Sequence, residues 1–223
     1  MSKRSQYIFR KRRRRWPVAV GVLAVAALVV GAALLGFREG PLQPTTAEVL
    51  PEAADPAWDI PTFTSSVDAD GDGIDDQTDV LQSAEAYVAG EPRYKSAYYS
   101  ETGYPDDGFG VCTDVVAFAL RGAGYDLMAL MDADIREAPE AYGIDEPDAA
   151  IDFRRAPNQK VFFDRNAVSL PCDTGDPAQW QGGDIVVYDN HVGIASGRRN
   201  AKGLPYLIHH HSPTQLHYEE DAL

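Results

Sequence analysis

The chain has 223 residues, 44% of them hydrophobic and 24% charged, which describes one folded domain with appendages rather than a disordered polymer. Its formal net charge of −14 argues against nucleic-acid binding, which needs a basic face. Two cysteines, Cys112 and Cys172, are too few for a disulfide scaffold, and a bridge between them is the minor expectation even in an oxidising compartment.

The charge is unevenly spread. Residues 1–16 carry eight Lys or Arg and no acid, and residues 17–37 carry no charge over 21 positions. A bilayer core is crossed by roughly 20 apolar residues, and the backbone there must satisfy its own hydrogen bonds, so 17–37 is expected to be a transmembrane helix. The basic flank stays in the cytoplasm, which places everything after it on the far side of the membrane, with Trp16 and Phe37 at the two interfaces. A cleaved signal peptide is the alternative; its apolar region would be shorter, about 7–15 residues, and followed by a small-residue cleavage site. Residues 41–223 hold 11 Lys or Arg and 33 Asp or Glu, a net of −22 suited to solubility or to calcium. Residues 38–66, rich in Pro, Ala, Thr and Glu, read as a flexible linker.

Residues 67–79 form an acidic loop. Asp68, Asp70 and Asp72 alternate and are followed by Gly73; counted from Asp68, Ile74 is position seven, Asp76 nine and Asp79 twelve. This is the register of a calcium loop, with oxygen ligands at one, three and five, a glycine at six and a carboxylate at twelve. Position twelve is usually Glu, and closure on Asp resembles dockerin-type modules. The alternative is a solvated acidic turn; with calcium, the ion's role is structural.

Residues 80–223 are read as the main domain. Helices are expected at 78–88, 111–120 and 127–131, and strands at 183–188, 191–195 and 206–210. Helices first and strands last imply an α+β domain with a mostly antiparallel sheet. Cys112 opens the second helix. Unpaired N–H groups and the positive helix end favour a thiolate there, although a buried core cysteine is an equal alternative. His191 opens one strand and His209 lies on the next, with His210 facing the other way. A thiol, an imidazole and a polar group to orient it are the parts of thiolate–imidazole catalysis. Among weaker candidates, Asp114 caps the helix or orients a backbone group. Arg154, Arg155 and Asn158 suit either a substrate carboxylate or an ion-pair network. Tyr104 is a candidate oxyanion donor. Zinc on His191, His209, His211 and His217 is a remaining option, without an HExxH-type spacing in its favour.

The order of Cys112, Gly183-Asp184, the HVGI of 191–194 and His209 resembles the NlpC-type cell-wall peptidases of the papain-like superfamily. The segments GVCTDVV (110–116), IDFRRAPN (151–158), GGDIVVY (182–188), HVGIAS (191–196) and IHH…YEEDAL (208–223) resemble, more closely, domain-of-unknown-function family 1287 within that branch. The likeness covers about 78–223. It implies a papain-like fold and a Cys112–His191–His209 triad needing no cofactor for catalysis. It also implies a monomeric amidase or peptidase acting on peptidoglycan peptides, or else an inactive calcium-stabilised wall-binding module. Family members continue into a further strand, so the chain is expected to lack its last strand.

Overall fold

A computed structural model describes residues 5–8 and 58–223. The expected transmembrane helix at 17–37 and most of the linker lie outside the described residues. Among those described, no helix is long and apolar enough to cross a membrane.

The helical part comprises α1 (Asp76–Ala89), α2 (Cys112–Gly122), α3 (Leu127–Glu137), two single turns α4 (Pro139–Tyr142) and α5 (Ala149–Asp152), and α6 (Ala156–Asn166). The expected 127–131 helix continues to Glu137, and α5 and α6 were not foreseen. Between the helices, β2 (Arg93–Tyr94) and β3 (Phe109–Gly110) pair as a short parallel ribbon. The remaining strands are β1 (Ser5–Ile8), β4 (Val168–Leu170), β5 (Ile185–Val187), β6 (Val192–Arg199), β7 (Pro205–Ile208) and β8 (Glu219–Glu220). They form one sheet in the order β4-β1-β5-β6-β7-β8. Every pair in that sheet is antiparallel. The mixed α/β class and the antiparallel sheet are as expected.

The sheet has two covered faces. Ile185, Val187, Val192, Ile194 and Ile208 face a core shared with Val115, Val116, Ala119 and Leu120 of α2 and Val80, Leu81 and Ala84 of α1. Val186, Ala195 and Leu207 face the other way, onto Trp180 and Leu204. Burial on both faces explains why Ile185-Val186-Val187 is an unbroken apolar run rather than an alternating one. Each large side chain so buried contributes about 1.5–3 kcal/mol. Gly193 sets the spacing of the central strands: a Cβ there would lie 2.8 Å from the Ile208 carbonyl oxygen.

Two boundaries differ from the sequence reading. Residues 58–66, assigned to the linker, are held against the domain: Phe63 N–H donates to Gln181 Oε1 at 3.0 Å and Ser65 N–H to Asp75 Oδ1 at 2.7 Å. Ser5–Ile8, inside the segment assigned to the cytoplasm, pairs as β1 with both β4 and β5. A strand must share its sheet's side of any membrane, so in one molecule this pairing and a cytoplasmic 1–16 exclude each other.

Candidate active site

The site is built on the first turn of α2. Val111 is extended (φ −141°, ψ −178°) and the helix begins at Cys112. Asp114 reaches back to accept the Val111 N–H at 2.8 Å, placing a carboxylate at the positive helix end. Arg154 grips that carboxylate with two bonds, Nε to Oδ1 at 2.6 Å and Nη2 to Oδ2 at 2.8 Å, and both side chains are buried. Thr113 Oγ1 donates to the Arg154 carbonyl at 3.0 Å, and Gln159 Nε2 donates to the carbonyls of Thr113 and Phe153. The turn that carries Cys112 is therefore fixed by a segment some 40 residues downstream. Arg154 is an ion-pair partner here; its guanidinium is divided between Asp114 and the Ala97 carbonyl, to which Nη1 donates. Asn158 is likewise structural, donating to the Asp152 carbonyl at 2.9 Å. Arg155 is exposed, 3.8 Å from Asp152.

The thiol of Cys112 departs from the electrostatic expectation. Burial pushes its pKa up, and the Asp114 charge adds to this; the N–H groups of Val192 and Thr113 pull the other way without prevailing. The helix end alone does not make the thiolate. The Val192 N–H belongs to the residue after His191, so the head of α2 abuts the start of β6.

His191 and His209 are joined: His191 Nε2 lies 2.8 Å from His209 Nδ1. His209 Nε2 lies 3.2 Å from Glu220 Oε2 on β8. Burial, followed by the neighbouring histidines, lowers both imidazoles from 6.5 to about 4, so both rings are neutral near pH 7. One proton arrangement then satisfies the chain. A carboxylate at Glu220 accepts, so His209 carries its proton on Nε2; its Nδ1 accepts from His191 Nε2–H; and His191 is left with its Nδ1 unprotonated. Glu220 was missed because an acid within YEED resembles any of the chain's 34 acids, and only the pairing of β8 with β7 singles it out.

His191 and His209 open onto a groove of about 560 Å³ that Tyr188, Asp189, Asn190, Leu207 and Ala222 also line. His211 is half exposed beside Glu220, with 3.7 Å between Nδ1 and Oε2. His210 is buried edge-on to Tyr94 and Tyr218.

Tyr104 sits in the core against Phe118 and Phe153, and its hydroxyl donates to Asp126 at 3.3 Å. The sequence reading passed over Tyr94, whose pKa rises through burial and through the charge a thiolate at Cys112 would place beside it. Cys112 and Cys172 both keep their thiols.

The acidic loop is a separate feature. Ligand-type oxygens of Asp68, Asp70 and Asp72 lie within 4.8 Å of one another. Asp68 accepts the N–H groups of Gly71 and Gly73, which curls the loop. Asp76 is committed elsewhere, accepting from Ala69 N–H at 2.8 Å and from the Tyr125 hydroxyl. Asp79 is buried and its Oδ2 has no hydrogen-bond partner. Burial, then Asp72, Asp70, Asp76 and Asp68, raise its pKa to about 6. Ile74 is exposed at the expected carbonyl position.

Comparison with known proteins yields two matches. Residues 81–223 match the family described as "Domain of unknown function (DUF1287)". The chain is also similar to "Uncharacterized protein YijF" of Escherichia coli (strain K12), at 35% identity over 128 residues, covering 53% of this chain and 62% of that protein. It thus spans less than two thirds of the length of the curated relative it matches. No solved structure matches.

Proposed function

The chain belongs to the DUF1287 family, and on that premise we propose that it is a thiol hydrolase of NlpC-like, papain-like type that cleaves an amide bond, with peptidoglycan peptides as substrate. The observation that carries this reading is the chain His191–His209–Glu220, bonded at 2.8 and 3.2 Å and opening on a groove, together with the Val192 N–H, next in sequence to His191, bonded to the Cys112 thiol. Cys112 gives its proton to His191 Nδ1 as its sulfur attacks the carbonyl carbon. His209 accepts from His191 Nε2–H and stabilises the imidazolium as it forms. The oxyanion is held by the N–H of Cys112 at the helix start. His191 returns the proton to the leaving amine, and water then hydrolyses the thioester. The resting thiol is protonated on this account, and its proton passes to His191 as the sulfur attacks an electrophile, whether a substrate carbonyl or an alkylating agent. Replacing Cys112 by Ala is expected to abolish hydrolysis of purified wall peptides with an unchanged melting temperature; retained hydrolysis would refute the nucleophile.

One observation favours a second reading, an inactive wall-binding module: burial raises the Cys112 thiol. Iodoacetamide separates the two, because a base-paired thiol is alkylated below about pH 7 and a structural one is not. The acidic loop is proposed to hold calcium in a structural role, supported by the unpartnered Asp79 oxygen facing the charges of Asp68, Asp70 and Asp72. Asp76 does not fit that ligand set. The apolar run at 17–37 supports a single membrane span with the domain outside the cytoplasm. Protease access to the N-terminus in intact cells decides between that arrangement and the β1 pairing.

A further inference from the structure

Behind the proposed base lies a set of ligands that the hydrolytic mechanism does not use in full. His209, His211 and Glu220 each offer one ligand atom, and these atoms all lie within 4.8 Å of one another. Two of the separations are 3.2 Å (His209 to Glu220) and 3.7 Å (His211 to Glu220). Ligands about 2.0–2.1 Å from a tetrahedral zinc sit about 3.3 Å apart, so these spacings bracket the required value with only small side-chain shifts. Two imidazoles and one carboxylate are a donor set that zinc accepts with a fourth position left open. His211 and Glu220 are each partly exposed, so an ion can reach them from solvent.

We propose that His209, His211 and Glu220 form a site for a zinc-class divalent ion, and that occupancy switches the thiol hydrolase off. The inhibitory part rests on the proposed function; the metal site does not. The switch follows from proton positions. In the active arrangement His209 Nδ1 accepts from His191 Nε2–H, and its own proton is on Nε2. A metal on His209 Nε2 needs that lone pair, so the Nε2 proton must leave. The ring then carries its proton on Nδ1, facing His191. Two N–H donors cannot face each other 2.8 Å apart, so His191 gives up its Nε2 proton and holds one on Nδ1 instead. No proton is gained or lost overall: the one displaced from His209 Nε2 is made up by the one on His191 Nδ1, through solvent. His191 then presents N–H rather than a lone pair to the sulfur, and it cannot become an imidazolium without opposing donors. The base is blocked while the groove and Cys112 remain in place.

The test uses the whole chain in excess calcium, which occupies any site in the acidic loop, with zinc titrated by calorimetry. One zinc per chain is expected. Affinity should fall by about tenfold or more in His211→Ala and in Glu220→Gln, and should be unchanged in Cys112→Ala. In parallel, iodoacetamide labelling of Cys112, followed on its own peptide to separate it from Cys172, should slow on zinc addition in the wild type but not in His211→Ala. Unchanged zinc affinity in both ligand variants, or its loss in Cys112→Ala, overturns the site. Binding through the ligands with no effect on Cys112 labelling overturns the switch. Absence of hydrolysis of any peptide, with binding and labelling as expected, would sink the hydrolase reading and leave the metal site standing.

Discussion

The first turns of α1 and α2 face the same problem and meet it differently. Each begins a helix among carboxylates that are largely removed from water. At α2 the acid is Asp114, and Arg154 neutralises it with two short bonds supplied by the same chain. At α1 the acid is Asp79, surrounded by further acids and left with one oxygen unbonded. A helix end tolerates one carboxylate readily; crowding more against it needs a cation. The α2 turn has that cation built into the same chain. On the proposed reading the α1 turn takes its cation from the medium, and the loop is then the part of the molecule responsive to its surroundings.

The largest effect should come from making α2 resemble α1. Arg154→Ala leaves Asp114 buried and unpaired, and breaking such a pair from one side costs about 3–5 kcal/mol. Urea denaturation should register it, and a loss below about 1 kcal/mol would show that water replaces the guanidinium.

A third region calibrates the pair. His191 and His209 are held near a pKa of about 4, below their ordinary 6.5. The unfolded chain therefore binds more protons between those values. Stability is full above about pH 6.5 and falls as pH drops toward 4, by on the order of 3 kcal/mol for each ring. Thermal melts across that range check the sign, and His191→Gln with His209→Gln should flatten the curve.

The smallest effect belongs to α1, and it runs the other way. Asp79 is raised to about 6, so its contribution is favourable below about pH 4 and is lost as pH rises through 6. Solvent screening discounts the size to about 1 kcal/mol. Asp79→Asn should raise the melting temperature of calcium-free protein at pH 8 and remove any rise on adding calcium. A calcium response that survives the substitution would assign the ion elsewhere.

How much of this could be read from the chain depended on whether a signal was local. The start of α2 was legible because an apolar stripe at Val115, Val116, Ala119 and Leu120 follows a short polar turn. The strand at 185–187 and the first half of β6, to Ala195, were legible from β-branched runs bounded by glycines and turns, whereas the continuation of β6 through Gly197 to Arg199 was not. Helix α6 was hidden, because Pro157 and the paired arginines before it masked a short segment of weak periodicity. The choice for Arg154 between substrate binding and ion pairing could not be made without knowing that Asp114 lies against it. Glu220 and Tyr94 carry no local mark at all; each gains its place from a strand pairing or a ring contact. The N-terminal strand β1 was read instead as part of a charged flank, since four residues between basic clusters give no period to detect.

The linear placement of the histidine chain has a consequence for biosynthesis. Cys112 leaves the ribosome 108 residues ahead of Glu220. At about 5–20 residues per second, the sulfur is exposed for roughly 5–20 s before the carboxylate that completes its relay exists. On the proposed reading, a nascent chain carries a thiol without a tuned base throughout translation. On that reading the relay is complete only once β8 has docked on β7.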